Sequence, residues 1–242
     1  MRKLAFLSAC ALALAGCDPT TYIAQSSRAE APEISCLTQP QGGCSFSQSP
    51  LRVLDEPVEL PRRPYKFFPT ADPLNFVDAQ GKSWNAPPRT LTDGASIPKI
   101  FISIVGDPTS PEYINAAAVH DAYCGVGNEE LSTYRKRGWR EVHRMFYEAL
   151  LVNGTPPKKA KIMYAAVFLG GPRWNEPDVS LSHIPDEVLL QEMEWCLEWI
   201  DLVDPMPDEI AQWMEDRGQL LLSGEAQTMP AYLREASDPR KF

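Results

Sequence analysis

Beyond its first residues this 242-residue sequence has no apolar run long enough to cross a bilayer, which excludes a polytopic membrane protein. It is short of positive charge. With 23 Lys and Arg against 32 Asp and Glu the net charge is −9, which argues against a dedicated nucleic-acid binder, so no nucleic-acid partner is expected. There is no CxxC pair and no Cys/His ligand spacing, so a structural zinc site of the usual kind is not expected. Ser96 lacks a GxSxG setting and is not read as a serine nucleophile. There is no internal repeat. What remains is a globular balance, 44% hydrophobic and 23% charged, in a length that suits one ordinary domain plus an extension.

The chain opens with Arg2 and Lys3, an apolar stretch from Leu4 to Ala15, and then Gly16 and Cys17, the order of an export signal. Leu14-Ala15-Gly16-Cys17 resembles the bacterial lipobox, which implies removal of residues 1–16 and lipidation of Cys17. The expected location is therefore the bacterial cell envelope, anchored to a membrane by lipid and facing the periplasm. Export leaves Cys36, Cys44, Cys124 and Cys196 in an oxidising compartment. Four cysteines allow three pairings. The favoured ones join Cys36 to Cys44, around Gly42 and Gly43, and Cys124 to Cys196, clamping a late helix onto a central one; free buried thiols are the alternative.

Residues 17–63, rich in Ser, Gln, Pro and Thr, read as a flexible tether. Short strands are expected at Tyr65–Phe68, at Leu74–Val77 and near Trp84, with a turn at Ala79-Gln80-Gly81. Helical periodicity then begins. Ser110-Pro111-Glu112 is a helix start and Gly125 a stop. Further helices are expected from about Tyr134 to Val152, from Pro157 to Gly170, from about Pro185 to Val203 and from Pro207 to Leu222. The fold class is α+β and mainly helical: a three-helix core within residues 64–175, an irregular β-containing N-terminal part, and an acidic helical extension over 176–242. Nine bases lie between Leu131 and Arg173 against two acids, and 14 acids between Glu176 and Glu225 against Arg217 alone. Two readings of that asymmetry stand: the acidic helices form a solvated face, or they fold back over the basic ones.

The residues with chemistry to offer are Thr92-Asp93-Gly94 and Ala116-Ala117-Ala118-Val119-His120-Asp121. On one helix His120 shares a face with Tyr113, Ala117 and Cys124, while Asp121 points about 100° away. His120 is thus placed as a general base facing a neighbouring helix. Asp121 is placed to hold a hard cation with loop carbonyls, and Asp93 is its candidate second ligand. His143 lies in the apolar stripe of the next helix, and His183 has no apparent role.

The ordered motifs TDGASIP, AAAVHD, WREVHRMFYEAL and MYAAVFLGGPRW resemble an uncharacterised phage and bacterial family, a domain of unknown function, over about Pro64 to Trp174. A weaker similarity is to secreted calcium-dependent phospholipases of the A2 type, in which a DGCS-like turn precedes a helix bearing HDxxY and a second helix follows. That likeness implies His120 as base, Asp121 as calcium ligand and an acid on the second helix to orient the histidine. The sequence departs from it: Cys124 stands where the Tyr is expected, His143 where the acid is expected, and no glycine-rich calcium loop is visible. Either Glu141 substitutes for the missing acid, or His120 and His143 bind a transition metal with Asp121 or Asp93. The functional expectation is an envelope lipoprotein with a hydrolase-like site at His120, Asp121 and His143, calcium-dependent and acting on lipid esters. The competing expectation is a non-catalytic scaffold whose acidic, Trp-bearing half recognises an envelope protein, with the lipid anchor as its membrane contact.

Overall fold

Two small antiparallel sheets precede the helices. The computed structural model describes residue 36 and residues 43–94, 97–105, 110 and 112–225; the lipobox, Ser96 and Pro111 lie outside them. All described residues fall in one unit, Ile34–Phe242. Strands β1 (Ser45–Ser47), β4 (Leu74–Val77) and β5 (Ser83–Ala86) form one sheet in the order β1-β4-β5, with Phe76 paired to Phe46 on one side and Trp84 on the other. Alternation decides the buried face: Leu74, Phe76, Trp84 and Ala86 point inward. The β4–β5 turn is closed by Asp78, whose carboxylate accepts from Gln80 N, Lys82 N and Trp84 Nε1, with Gly81 at φ 76° supplying the left-handed turn residue. Strands β2 (Val58–Glu59), β3 (Lys66–Pro69) and β6 (Leu91–Thr92) form the second sheet in the order β2-β3-β6.

The helices are α1 (Ile102–Val105), α2 (Ile114–Cys124), α3 (Trp139–Val152), α4 (Pro157–Gly170), α5 (Asp186–Val203) and α6 (Pro207–Ser223). The α+β, mainly helical class is as expected. Helix α2 is buried from Asn115 to Cys124, because Ala116, Ala117 and Ala118 let β4 and β5 approach on one side and α3 on another. Helix α3 packs on α4, and α5 and α6 both pack on α4. Among the described residues no helix is long and apolar enough to cross a membrane.

Three local expectations are corrected. Helix α2 starts at Ile114 rather than at Pro111, after a turn in which Tyr113 N donates to Ser110 O. Helix α3 starts at Trp139 rather than near Tyr134, because Arg135 adopts φ 51° and donates its amide to Tyr123 O, a conformation that cannot continue a helix. The stretch read as tether is partly folded: β1 and β2 are strands, Val53 bridges Thr70, and Leu51 N donates to Asn115 Oδ1.

The acidic helices fold back over the basic ones. Arg140 pairs with Glu176 at 2.7 Å and with Glu215, Arg144 pairs with Asp208, and Lys158 and Lys161 meet Asp201 and Asp204 at 2.6 Å each. Between α5 and α6, buried Arg217 makes a two-pronged pair with buried Glu192 at 2.5 and 2.6 Å. Trp213 is buried and stacks on Trp199 at 5.9 Å.

Candidate functional site

Helices α2 and α3 bring two histidines into contact. Nε2 of His120 lies 2.9 Å from Nδ1 of His143, and both rings are buried. The pair is held by aromatics: Phe146 sits 4.8 Å from the His120 ring centroid, and Trp139 and Trp174 sit 5.7 and 6.0 Å from that of His143. A methyl group at Gly171 would come within 3.2 Å of His143 Nε2, so the chain passes this ring without room for a side chain. Burial holds both imidazoles neutral. It lowers His120 to about pKa 3; for His143 burial leads, and the charges of His120 and Arg173 push the same way.

Which nitrogens carry protons follows from the surroundings. The Pro172 carbonyl favours a proton on His143, and with Nδ1 committed to His120 that proton belongs on Nε2, which has no normal hydrogen bond of its own. His143 Nδ1 therefore accepts and His120 Nε2 donates, leaving Nδ1 of His120 with its lone pair.

One turn on from His120, Cys124 Sγ lies 3.6 Å from Nε2 and 3.7 Å from Nδ1 of the same ring, and 3.5 Å from the His120 carbonyl. Burial raises its pKa, with the Asp121 charge adding to the rise and Arg135 opposing it. Asp121 points away from the pair, as the helix geometry requires. Its carboxyl is pushed up by burial and then by the neighbouring Asp93, with a hydrogen bond to Thr92 opposing, and Oδ2 has no partner. The Thr92–Gly94 turn, with Gly94 at φ 99° and its amide on Thr92 Oγ1, sets Asp93 beside it.

His120, Asp121, Cys124 and Asp93 line one cleft of about 660 Å³, together with Tyr134 and Arg135. One part of the wall is apolar and comes from Ile97 and Ile100, from Leu169 at the end of α4, and from Leu181, Ile184 and Leu189 leading into α5, while Arg63, Glu129, Ser180, Ser182 and Asp186 give it a polar part.

The other expected residues fall elsewhere. Cys36 and Cys44 form a disulfide, and the Glu148 carboxylate lies 3.5 Å from Cys36 Sγ. Cys124 and Cys196 do not pair: both are free and buried, because α5 packs over α4 while Cys124 ends α2 against the His120 ring. Glu141 is no substitute acid, since it faces outward to Lys82 at 2.7 Å and Arg137 at 3.2 Å. The transition-metal arrangement is not formed. Among the described residues the group of three whose ligand atoms converge is Cys36, Cys44 and Glu148, and two of those are spent in the disulfide. Calcium needs six or more oxygens. Asp121 and Asp93 offer two carboxyls, one Asp121 oxygen faces Thr92, and the nearby Leu91 and Asp121 carbonyls already accept from Asn128 Nδ2. This donor set does not fit a calcium ion. The sequence reading took Cys124 as a disulfide partner and missed its contact with the His120 ring, although its place four residues after His120 on the same face was visible.

Residues 68–167 match the family described as protein of unknown function (DUF1353). The match takes in Asp93, His120, Asp121, Cys124 and His143, and stops before the Leu169–Leu189 wall of the cleft. Two proteins of Sinorhizobium fredii (strain NBRC 101917 / NGR234) are similar. "Uncharacterized protein y4iH" is 41% identical over 101 residues, 42% of this chain and 39% of its own length. "Uncharacterized protein y4jT" is 38% identical over 111 residues, 46% of this chain and 31% of its own length. The chain thus spans under two fifths of the length of these curated relatives. No solved structure matches the chain, and the likeness to phospholipases has no counterpart among the matches.

Proposed function

We propose that the chain is a bacterial envelope lipoprotein whose cleft hydrolyses an acyl ester, with His120 taking the proton of the attacking group. The observation that carries this reading is the 2.9 Å contact between His120 Nε2 and His143 Nδ1 beside a cleft of about 660 Å³. A general base needs a bare lone pair, a fixed ring and access for its substrate. The tautomer supplies the first, the aromatic cage the second and the cleft the third. Asp121, kept neutral by its burial, donates a hydrogen bond to the charge that develops on the substrate carbonyl. The apolar wall favours an acyl chain, and the lipobox-like Leu14–Cys17 would tether the cleft near membrane lipid on the periplasmic side.

The near-complete burial of His120 and His143 favours a second reading, a scaffold in which the pair only joins two helices. Release of fatty acid from phosphatidylethanolamine and phosphatidylglycerol vesicles separates the two. Wild-type protein should release it, and His120→Ala should lower the rate about 100-fold or more. Equal rates, or no release by either, would leave only the scaffold.

A further inference from the structure

We propose that Cys124 is the nucleophile of this cleft and that the reaction passes through a thioester on its sulfur. The inference rests on the hydrolytic reading and goes past it, since that reading is equally served by an activated water.

Four observations carry it. Cys124 Sγ touches both nitrogens of the His120 ring, at 3.6 and 3.7 Å, and the ring is in turn held by His143 at 2.9 Å, so nucleophile, base and orienting group follow one another in contact. Cys124 is 9% exposed where His120 is 1% exposed, so the sulfur is the member of this series nearer the open cleft. Asp121, whose Oδ2 has no partner, lines the same cleft; burial keeps the thiol protonated at rest, with the Arg135 charge opposing that rise. The base is weak, and a thiol, even one whose pKa burial raises, gives up its proton to such a base more readily than water does. Cys196 is the internal contrast: it is a free thiol with no exposure at all, on α5 where it packs over α4.

The steps balance without a further reactant. The thiol proton moves to His120 as sulfur attacks the ester carbonyl carbon. The carbon–oxygen bond to the alcohol breaks, and the alcohol leaves with that proton, leaving the acyl group as a thioester. Water then gives a proton to His120 and adds to the carbonyl. The carbon–sulfur bond breaks, the acid departs, and sulfur regains the proton. The apolar wall of Ile97, Ile100, Leu169, Leu181, Ile184 and Leu189 is where the acyl chain lies.

The test uses the full chain with p-nitrophenyl butyrate. Acid-quenched wild-type protein should carry one butyryl group on the Cys124 peptide, labile to hydroxylamine, and Cys124→Ala and Cys124→Ser should lose about 100-fold or more in rate while Cys196→Ser keeps it. Should Cys124→Ala misfold, the adduct on unaltered protein still decides. Variants at Cys124 that keep the wild-type rate, while His120→Ala loses it, would overturn the thiol and leave the hydrolytic reading with water as nucleophile. No hydrolysis by wild type would overturn both.

Discussion

His120 and His143 face each other nitrogen to nitrogen at 2.9 Å, one on each of two packed helices, in a site where burial keeps both imidazoles neutral at rest. An unfolded chain protonates both near pH 6.5, whereas the folded one resists down to about 3 at His120. Their contribution is therefore complete above about pH 6.5 and is lost as pH falls toward the folded values, at about 1.4 kcal/mol per unit for each ring. Asp121 works the other way: its folded pKa is raised, so its contribution is present at low pH and lost as pH climbs above its unfolded value near 4. Two histidines against one acid leave the histidines ahead. Urea unfolding should show stability rising by about 0.7 kcal/mol between pH 5.5 and 6.5, where the unfolded rings are only partly protonated, with a steeper rise in Asp121→Asn. A flat profile in both proteins would mean that the pair is not buried as described.

The placement of each histidine was legible from the sequence, since the three- and four-residue steps turn His120 toward a neighbouring helix and set His143 in the apolar stripe of α3, but their meeting was expected only through a shared metal. The strands at Leu74–Val77 and Trp84 and the course of α4, α5 and α6 were legible for the same reason, their periodicity and proline starts being local. What was hidden depends on distant partners. Strand β1 has three residues and β2 two, too few for alternation to register, and each exists only by pairing with β4 or β3. The late start of α3 turns on Arg135 bonding Tyr123 across the chain, and the fate of Cys124 turns on α5 docking to α4 rather than α2. In the site, the positions of Asp93, Asp121 and the histidines were readable, but not that Asn128 would occupy the carbonyls expected to hold a cation.

The ion pairs between the acidic and basic helices should differ greatly in weight. Arg217 and Glu192 are both buried and joined by two bonds, so Glu192→Ala takes both bonds and the countercharge from a buried guanidinium and should cost about 3–5 kcal/mol. Lys158 and Asp201 are more than half exposed at 58% and 55%, and Lys158→Ala should cost no more than about 1 kcal/mol. Equal losses in urea midpoints would show that the fold-back depends on total charge rather than on the buried pair.

Calcium should leave the protein unchanged. Burial and then the neighbouring Asp93 favour the protonated form of Asp121, and the carbonyls within reach are engaged by Asn128. Differential scanning calorimetry with millimolar calcium and then with a chelator should give one melting temperature. A rise of several degrees with calcium, abolished in Asp121→Asn, would restore Asp121 and Asp93 as ligands.

Gly171 is where the chain after α4 crosses the back of His143. An added Cβ would lie 2.2 Å from the Val167 carbonyl and 3.2 Å from His143 Nε2, and the first of these neighbours is helix backbone that cannot yield. Gly171→Ala should therefore force the α4 terminus outward, with a loss of about 1–3 kcal/mol characteristic of overpacking. At Gly154 nothing stands within 4 Å, so alanine there meets only the strain of φ 95° and leaves the histidines untouched. The two variants separate stability from site geometry: the imidazole nitrogen signals of His120 and His143 should shift in Gly171→Ala and stay in place in Gly154→Ala. Unshifted signals in Gly171→Ala would show that His143 is held by the aromatic cage alone, with the backbone behind it free to move.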